Sequence, residues 1–274
     1  MADAIALIGY GEAGSTFARA GDWRARAWDV KPDRVVTATE DGMTAARDAA
    51  EALAGVPLAL SLVTADSALP AARDYAPHLA PGAIWCDGNS VAPDTKRAAA
   101  AAIEAAGGLY VDVAVLAPVH PARLNVPLLL AGAAAGRAES LLRGLGFTNV
   151  RVVGDEVGRA SAIKMIRSVM VKGVEALTAE MMLAAQAAGV VDEVLSSLDA
   201  SEKAQPWAAC AAYNIERMVT HGARRAAEMA ESAKTLSSLG IEPHMTRGTV
   251  ARQTEMAGRK DLLIDADLPI AGRE

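Results

Sequence analysis

The run Gly9-Tyr10-Gly11-Glu12-Ala13-Gly14, directly after an apolar segment at residues 5–8, constrains this chain more than any other feature. A G-x-G-x-x-G run at a strand exit allows a tight turn, close approach of the backbone to a pyrophosphate, and a helix whose first N–H groups face the anion. By itself the motif also fits an ordinary strand-to-helix turn. A second apolar segment ends about twenty residues further on at Asp29, where a carboxylate can accept hydrogen bonds from an adenosine ribose. Gly9, Tyr10, Gly11, Glu12, Ala13, Gly14 and Asp29 are therefore the expected dinucleotide contacts. An acid at Asp29 repels a 2'-phosphate and favours NAD, while Lys31 and Arg34 lie near enough to keep NADP as the alternative.

The rest of the first half supports that placement. Short apolar runs bounded by Gly, Pro or Asp alternate with alanine-rich segments of helical length, predicting strands near residues 5–8, 26–30, 58–63, 83–86, 110–115, 127–131 and 150–153. This is the pattern of an α/β domain with a Rossmann doubly wound parallel sheet, assigned to residues 1–156. Ligands of such sheets bind beyond the carboxyl ends of the strands, which adds Val63, Thr64 and Asn89 to the expected cofactor contacts. Beyond Gly158, Met, Leu and Ala recur at spacings of three and four, predicting an all-α domain over residues 157–274 that opens on one long helix from about residue 156 to 188. Hydrophobic residues make up 52% of the chain and aromatics only 4%, so both cores must close-pack small and aliphatic side chains.

Several function classes are excluded. A net charge of -6 offers no cationic footprint for nucleic acid. The longest uncharged stretch, residues 52–65, is broken by Gly55 and Pro57 and falls short of the ~20 residues a membrane helix needs. The first residues lack a basic leader and run straight into the glycine turn, and Cys86 and Cys210 form no metal-like or disulfide pattern, so a reducing cytoplasm is expected. His78, His120, His221 and His244 show no ligand spacing, and no metal is predicted.

On the long helix, Lys164 and Ser168 stand at i and i+4, hence on one face. With the N-terminal fingerprint, the Asp112-Val113-Ala114-Val115 strand and the Gly-rich turn before Lys164, the sequence resembles the β-hydroxyacid dehydrogenase superfamily, which includes 3-hydroxyisobutyrate and 6-phosphogluconate dehydrogenases, along essentially its whole length. The stretches Lys164-Met165-Ile166-Arg167-Ser168 and His221-Gly222-Ala223-Arg224-Arg225 look like a branch described only as phosphogluconate-dehydrogenase-like. The resemblance implies that Lys164 is the general acid/base beside the nicotinamide, with Ser168 in the place of the family's asparagine and Arg167 in that of its histidine or asparagine.

The family's Ser-Gly-Gly carboxylate cradle is replaced by Leu116-Ala117-Pro118. Val171 stands where phosphogluconate dehydrogenases carry an acid, so hydride transfer without decarboxylation is expected. Leu116, Ala117, His120, Arg167 and Arg224 are the candidate substrate contacts, His221, Arg224 and Arg225 being read as the opening of a helix. The expected substrate is an alcohol or carbonyl compound, a hydroxyacid by resemblance. Imine reduction and an idle dinucleotide-binding sensor are the alternatives. Apolar helix faces rich in Ala and Met, and the resemblance, imply a homodimer.

Overall fold

Each residue of β1 (Ile5–Ile8) is buried, as are those of β4 (Leu58–Ser61) and β5 (Ile84–Asp87). Strands apolar on both faces need cover on both faces, which is what a parallel sheet between two helical layers provides. The computed structural model describes residues 5–201 and 207–263, with the side chains of all of these except some in the helices after Ser168. The remaining strands are β2 (Ala25–Trp28), β3 (Thr44–Ala45), β6 (Leu109–Val115), β7 (Leu128–Ala131) and β8 (Val150–Gly154). Between them lie α1 (Glu12–Ala20), α2 (Pro32–Glu40), α3 (Ala49–Leu53), α4 (Ala68–Tyr75), α5 (Pro93–Ala105) and α6 (Ala135–Gly144).

The strands form one sheet in the order β3-β2-β1-β4-β5-β6-β7-β8. The first six are parallel, and the order reverses at β1, which pairs β2 on one side and β4 on the other. A crevice opens at such a reversal, beyond the carboxyl ends of the strands. One edge departs from the expected all-parallel sheet: β7 runs antiparallel to β6, from Asp112 opposite Ala131 to Val115 opposite Leu128. The connection between them holds a single helical turn, Arg123–Asn125, rather than a crossover helix, so the chain returns beside β6 in the opposite sense. The two-residue β3, paired with β2, was also not among the expected strands.

One layer packs Leu7, Phe17, Leu60, Val113, Leu130 and Phe147, with the Phe17 and Phe147 rings edge to face at 5.0 Å. The other packs Ile8, Leu53, Trp85, Ile103 and Tyr110 among many alanines.

The later part of the chain is helical: α7 (Arg159–Ala188), α8 (Val191–Ser201), α9 (Trp207–Ser238) and α10 (His244–Met256). The chain divides into two compact units, Met1–Val169 and Met170–Glu274, and the division falls inside α7. In the second unit, buried Glu180 caps α10 by accepting from the N–H groups of Met245 at 2.8 Å and Thr246 at 2.9 Å and from Thr246 Oγ1 at 2.6 Å. The residues His221 to Arg225 do not open a helix but lie within α9, which begins at Trp207. Gly222 is there for packing: a Cβ on it would stand 2.4 Å from the Gln253 carbonyl oxygen, so α10 approaches only where α9 has no side chain.

Candidate active site

The three fingerprint glycines meet three different requirements. Gly9 has φ +94°, and a Cβ on it would lie 2.6 Å from the Leu62 carbonyl oxygen. At Gly14 a Cβ would meet the Gly9 carbonyl oxygen at 2.4 Å, so α1 can close onto β1 only with glycine there. Gly11, the N-cap of α1, has no side-chain cap, and a Cβ on it would meet nothing within 4 Å. The open side of this turn therefore presents bare backbone and a helix N-terminus, the combination that binds a pyrophosphate.

Asp29, just past the end of β2, closes the turn from outside. Its Oδ2 accepts from the Tyr10 N–H at 2.7 Å and its Oδ1 from the Lys31 N–H at 2.9 Å. The Tyr10 side chain points the other way, fully buried, and its hydroxyl donates to Asp41 Oδ2 at 3.0 Å. Burial first, and the bond to Asp41 second, push the Tyr10 phenol well above its ordinary pKa. Of this residue only the backbone belongs to the turn.

Two contiguous clefts follow the carboxyl ends of the strands. The first, about 750 Å³, is walled by Gly9, Gly11, Asp29, Lys31, Arg34 and Thr64, with Trp28 and Tyr75 also in its lining. Thr64 donates to Ser67 Oγ at 3.0 Å. The second, about 380 Å³, is walled by Asn89, Ser90, Val115, Ala117, Pro118 and Lys164. Glu12, Leu62 and Val63 line both, and Ala13 lines the second, so an extended ligand can pass from one to the other along the fingerprint turn.

In the second cleft, Lys164 reaches over from α7 and its Nζ donates to Ser90 Oγ at 2.5 Å. Asn89, buried, donates through Nδ2 to Ser61 Oγ at 3.0 Å, and its Oδ1 has no hydrogen-bond partner among the described residues. The other expected contacts distribute differently. Ser168, one turn beyond Lys164, is half-buried and does not belong to the wall of this cleft. Leu116 packs inward against Ala114, Leu129, Ala131 and Ala160, leaving Ala117 to face the cleft. The Arg167 guanidinium is exposed and donates to the Leu116 carbonyl at 3.3 Å. His120 Nε2 lies 2.9 Å from Thr16 Oγ1 and so ties the loop after β6 to α1. The Arg224 side chain lies outside the described residues.

Sequence reasoning missed the group beneath the site. Asp87, Lys96, Tyr110 and Asp112 are all buried to within 1% exposure. Lys96 Nζ donates to the Asp87 carbonyl at 2.5 Å and to Asp87 Oδ1 at 2.9 Å, and it stands 3.5 Å from Asp112 Oδ1. The Tyr110 hydroxyl donates to Asp87 Oδ2 at 2.7 Å. Asp112, on β6, caps α7, its Oδ2 accepting from the N–H groups of Gly158 at 3.1 Å and Ser161 at 2.9 Å. The missed signal was periodicity: Lys96, Ala99, Ala100 and Ile103 share the buried face of α5. No group of three or more metal-ligating side chains occurs among the described residues.

A reversed strand order, a glycine-lined helix N-terminus and a carboxylate after β2 together define a Rossmann dinucleotide-binding protein. Residues 4–153 match the NAD binding domain of 6-phosphogluconate dehydrogenase, and residues 185–256 match a domain of unknown function, DUF1932. The chain belongs to that NAD-binding family and, with it, to the β-hydroxyacid dehydrogenase superfamily. It is 38% identical to a conserved hypothetical protein from Sinorhizobium meliloti, with 97% of this chain and 92% of that one covered and a TM-score of 0.62. A conserved protein of unknown function, described as structurally similar to 3-hydroxyacid dehydrogenases, is 30% identical over 92% of this chain and 96% of its own, with a TM-score of 0.60. The imine reductase of Myxococcus stipitatus in complex with NADP+ shares the fold at a TM-score of 0.75, with 92% and 93% covered, at only 17% identity.

Proposed function

We propose that this protein is an NAD(P)-dependent oxidoreductase that interconverts an alcohol and a carbonyl, a hydroxyacid being the first candidate, with Lys164 as the general acid/base and no decarboxylation. The observation that carries this reading is the Lys164 to Ser90 contact in the wall of the second cleft, continuous with the dinucleotide cleft. The bare helix N-terminus at Gly11 and the acceptor at Asp29 fit the dinucleotide, whose nicotinamide supplies or accepts hydride when bound. Lys164 then takes the hydroxyl proton as the alcohol is oxidised, or gives it to the oxygen as the carbonyl is reduced. An ordinary lysine, with a pKa of about 10.4, is protonated at neutral pH, so alcohol oxidation should require a lysine that loses its proton more readily. Ser90, in the wall of the same cleft, would help orient the reacting oxygen, and Val171 supplies no acid for decarboxylation.

Asp29 favours NAD over NADP by repulsion of a 2'-phosphate. A stripe of exposed apolar residues along α7, Ile163, Ile166, Met170, Val174 and Leu177, supports a homodimer as the working assembly. Two unpaired cysteines, and no helix among the described residues long and apolar enough to cross a membrane, support the cytoplasm as its place.

A second reading, reduction of a carbon–nitrogen double bond, is favoured by one feature. Val115, Ala117, Pro118 and Val119 line the cleft where the family's polar carboxylate cradle would stand, an apolar wall suited to an uncharged substrate. Oxidation of NADH and NADPH against keto acids, aldehydes, aryl ketones and cyclic imines separates the two. Turnover of imines alone would replace the first reading by the second. With an active substrate, Lys164→Met should lose about 10² to 10⁴-fold in turnover while binding cofactor as before, since proton transfer is worth that much. Retention of more than about a tenth of the rate would remove Lys164 from the chemical step.

A further inference from the structure

Lys164 and Ser90 stand on separate pieces of backbone, the start of α7 and the turn after β5. A single buried ammonium joins the two. Asp87 Oδ1 accepts from the Asn89 N–H at 2.9 Å and so fixes the turn that ends in Ser90. Asp112 Oδ2 holds the N–H groups of Gly158 and Ser161, the first turn of the helix that carries Lys164 three residues later. Lys96 Nζ lies between these carboxylates, 2.9 Å from one and 3.5 Å from the other.

One cation and two carboxylates, each fully buried, are a poor way to stabilise a sheet domain, because desolvation consumes most of what their attraction returns. Apolar side chains of similar volume would pack the same space. What the cluster supplies is direction, since each carboxylate is committed at once to the ammonium and to named N–H groups of the site. Asp112 Oδ1 has no hydrogen-bond partner among the described residues, so the charge of Lys96 is what the structure offers it.

We propose that Lys96 is a positioning residue for the acid–base site: through Asp87 and Asp112 it holds the Ser90 turn and the first turn of α7 in the register that brings Ser90 Oγ onto Lys164 Nζ. The proposal rests on the reading of Lys164 given above. The coupling itself can be tested without substrate.

The reactivity of Lys164 toward acetic anhydride can be followed against pH by mass spectrometry in the intact protein. In the wild type, Ser90→Ala should change the Lys164 labelling rate near neutral pH by about threefold or more, because it removes a hydrogen bond to the ammonium. In an Asp112→Asn background the same substitution should have little effect, because contacting residues that act as a unit are not additive. Asp112→Asn keeps an acceptor for the α7 cap and turns an uncharged amide NH2 toward Lys96, so the attraction between the ammonium and this strand is lost. The double variant Lys96→Met, Asp112→Asn keeps the formal charge of the cluster unchanged and should behave alike, whereas Lys96→Met alone leaves two unpaired carboxylates and is expected to unfold more readily. A full Ser90→Ala effect in either background would overturn the proposal. Loss of the coupling, with Lys164→Met still turning over substrate, would instead keep the positioning role and reject Lys164 as the acid/base group.

Discussion

Cys86 and Tyr110 sit in the sheet beside the buried Asp87, and both are held protonated by their surroundings. Burial first, and Asp87 second, push the Cys86 thiol from 9.0 up to about 12. The Tyr110 phenol is raised by the same two causes in the same order. Below the ordinary thiol value both states are protonated and neither group biases folding. Above it the unfolded chain releases protons that the folded chain retains, so stability falls as pH rises, by roughly 1.4 kcal/mol per pH unit for each titrating group. The urea midpoint should therefore drop steeply between about pH 9 and pH 12, and Cys86→Ala should flatten that slope. An unchanged slope in the variant would mean that the thiol is not protected. These two environments were not readable from residue type, because an aspartate inside an apolar strand shows its charge but not its partners. Lys96 drew no attention in an alanine-rich segment of helical length, although its place on the buried face of α5 was visible in the spacing. Lys164 stood out because it carried a family pattern as well as a spacing, and it lines the second cleft.

At the scale of elements, most of the sheet was legible, since apolar runs closed by Gly, Pro or Asp mark parallel strands directly. The antiparallel β7 was not, because strand direction depends on the connection, and an absent crossover helix leaves no periodicity to count. The expected helix opening at His221, Arg224 and Arg225 failed because Gly222, inside α9, does not break the helix but admits a neighbouring one. The fingerprint turn gives a prediction at this scale. Gly11 has φ -75° and open space where a Cβ would project, so Gly11→Ala should melt within about 1 kcal/mol of the wild type. Calorimetry should nonetheless show NAD binding weakened about tenfold or more, because the methyl group occupies the approach of the pyrophosphate. Gly9→Ala, strained at φ +94° and 2.6 Å from a carbonyl oxygen, should lose stability as well as affinity. The same titrations of the wild type should rank NAD above NADP. The reverse ranking would transfer selectivity from Asp29 to Lys31 or Arg34, both in the wall of the first cleft.

For the whole molecule, the apolar stripe of α7 sets the expectation. Ile166 is 73% exposed and Val174 50%, more than a single chain usually leaves in one row. Light scattering at micromolar concentration should give twice the mass of the chain, and Ile166→Glu with Val174→Glu should give a monomer. A monomeric wild type would leave the stripe without this explanation. The tryptophans carry a further consequence. Trp85 is sealed in the core and Trp23 donates to the Leu145 carbonyl at 2.9 Å, whereas Trp28 stands in the wall of the first cleft with its Nε1 3.4 Å from the Tyr75 hydroxyl. The protein thus has an optical reporter at one end of its ligand path. ADP-ribose should quench its intrinsic fluorescence, nicotinamide mononucleotide should leave it nearly unchanged, and Trp28→Phe should silence the response while the other indoles continue to emit.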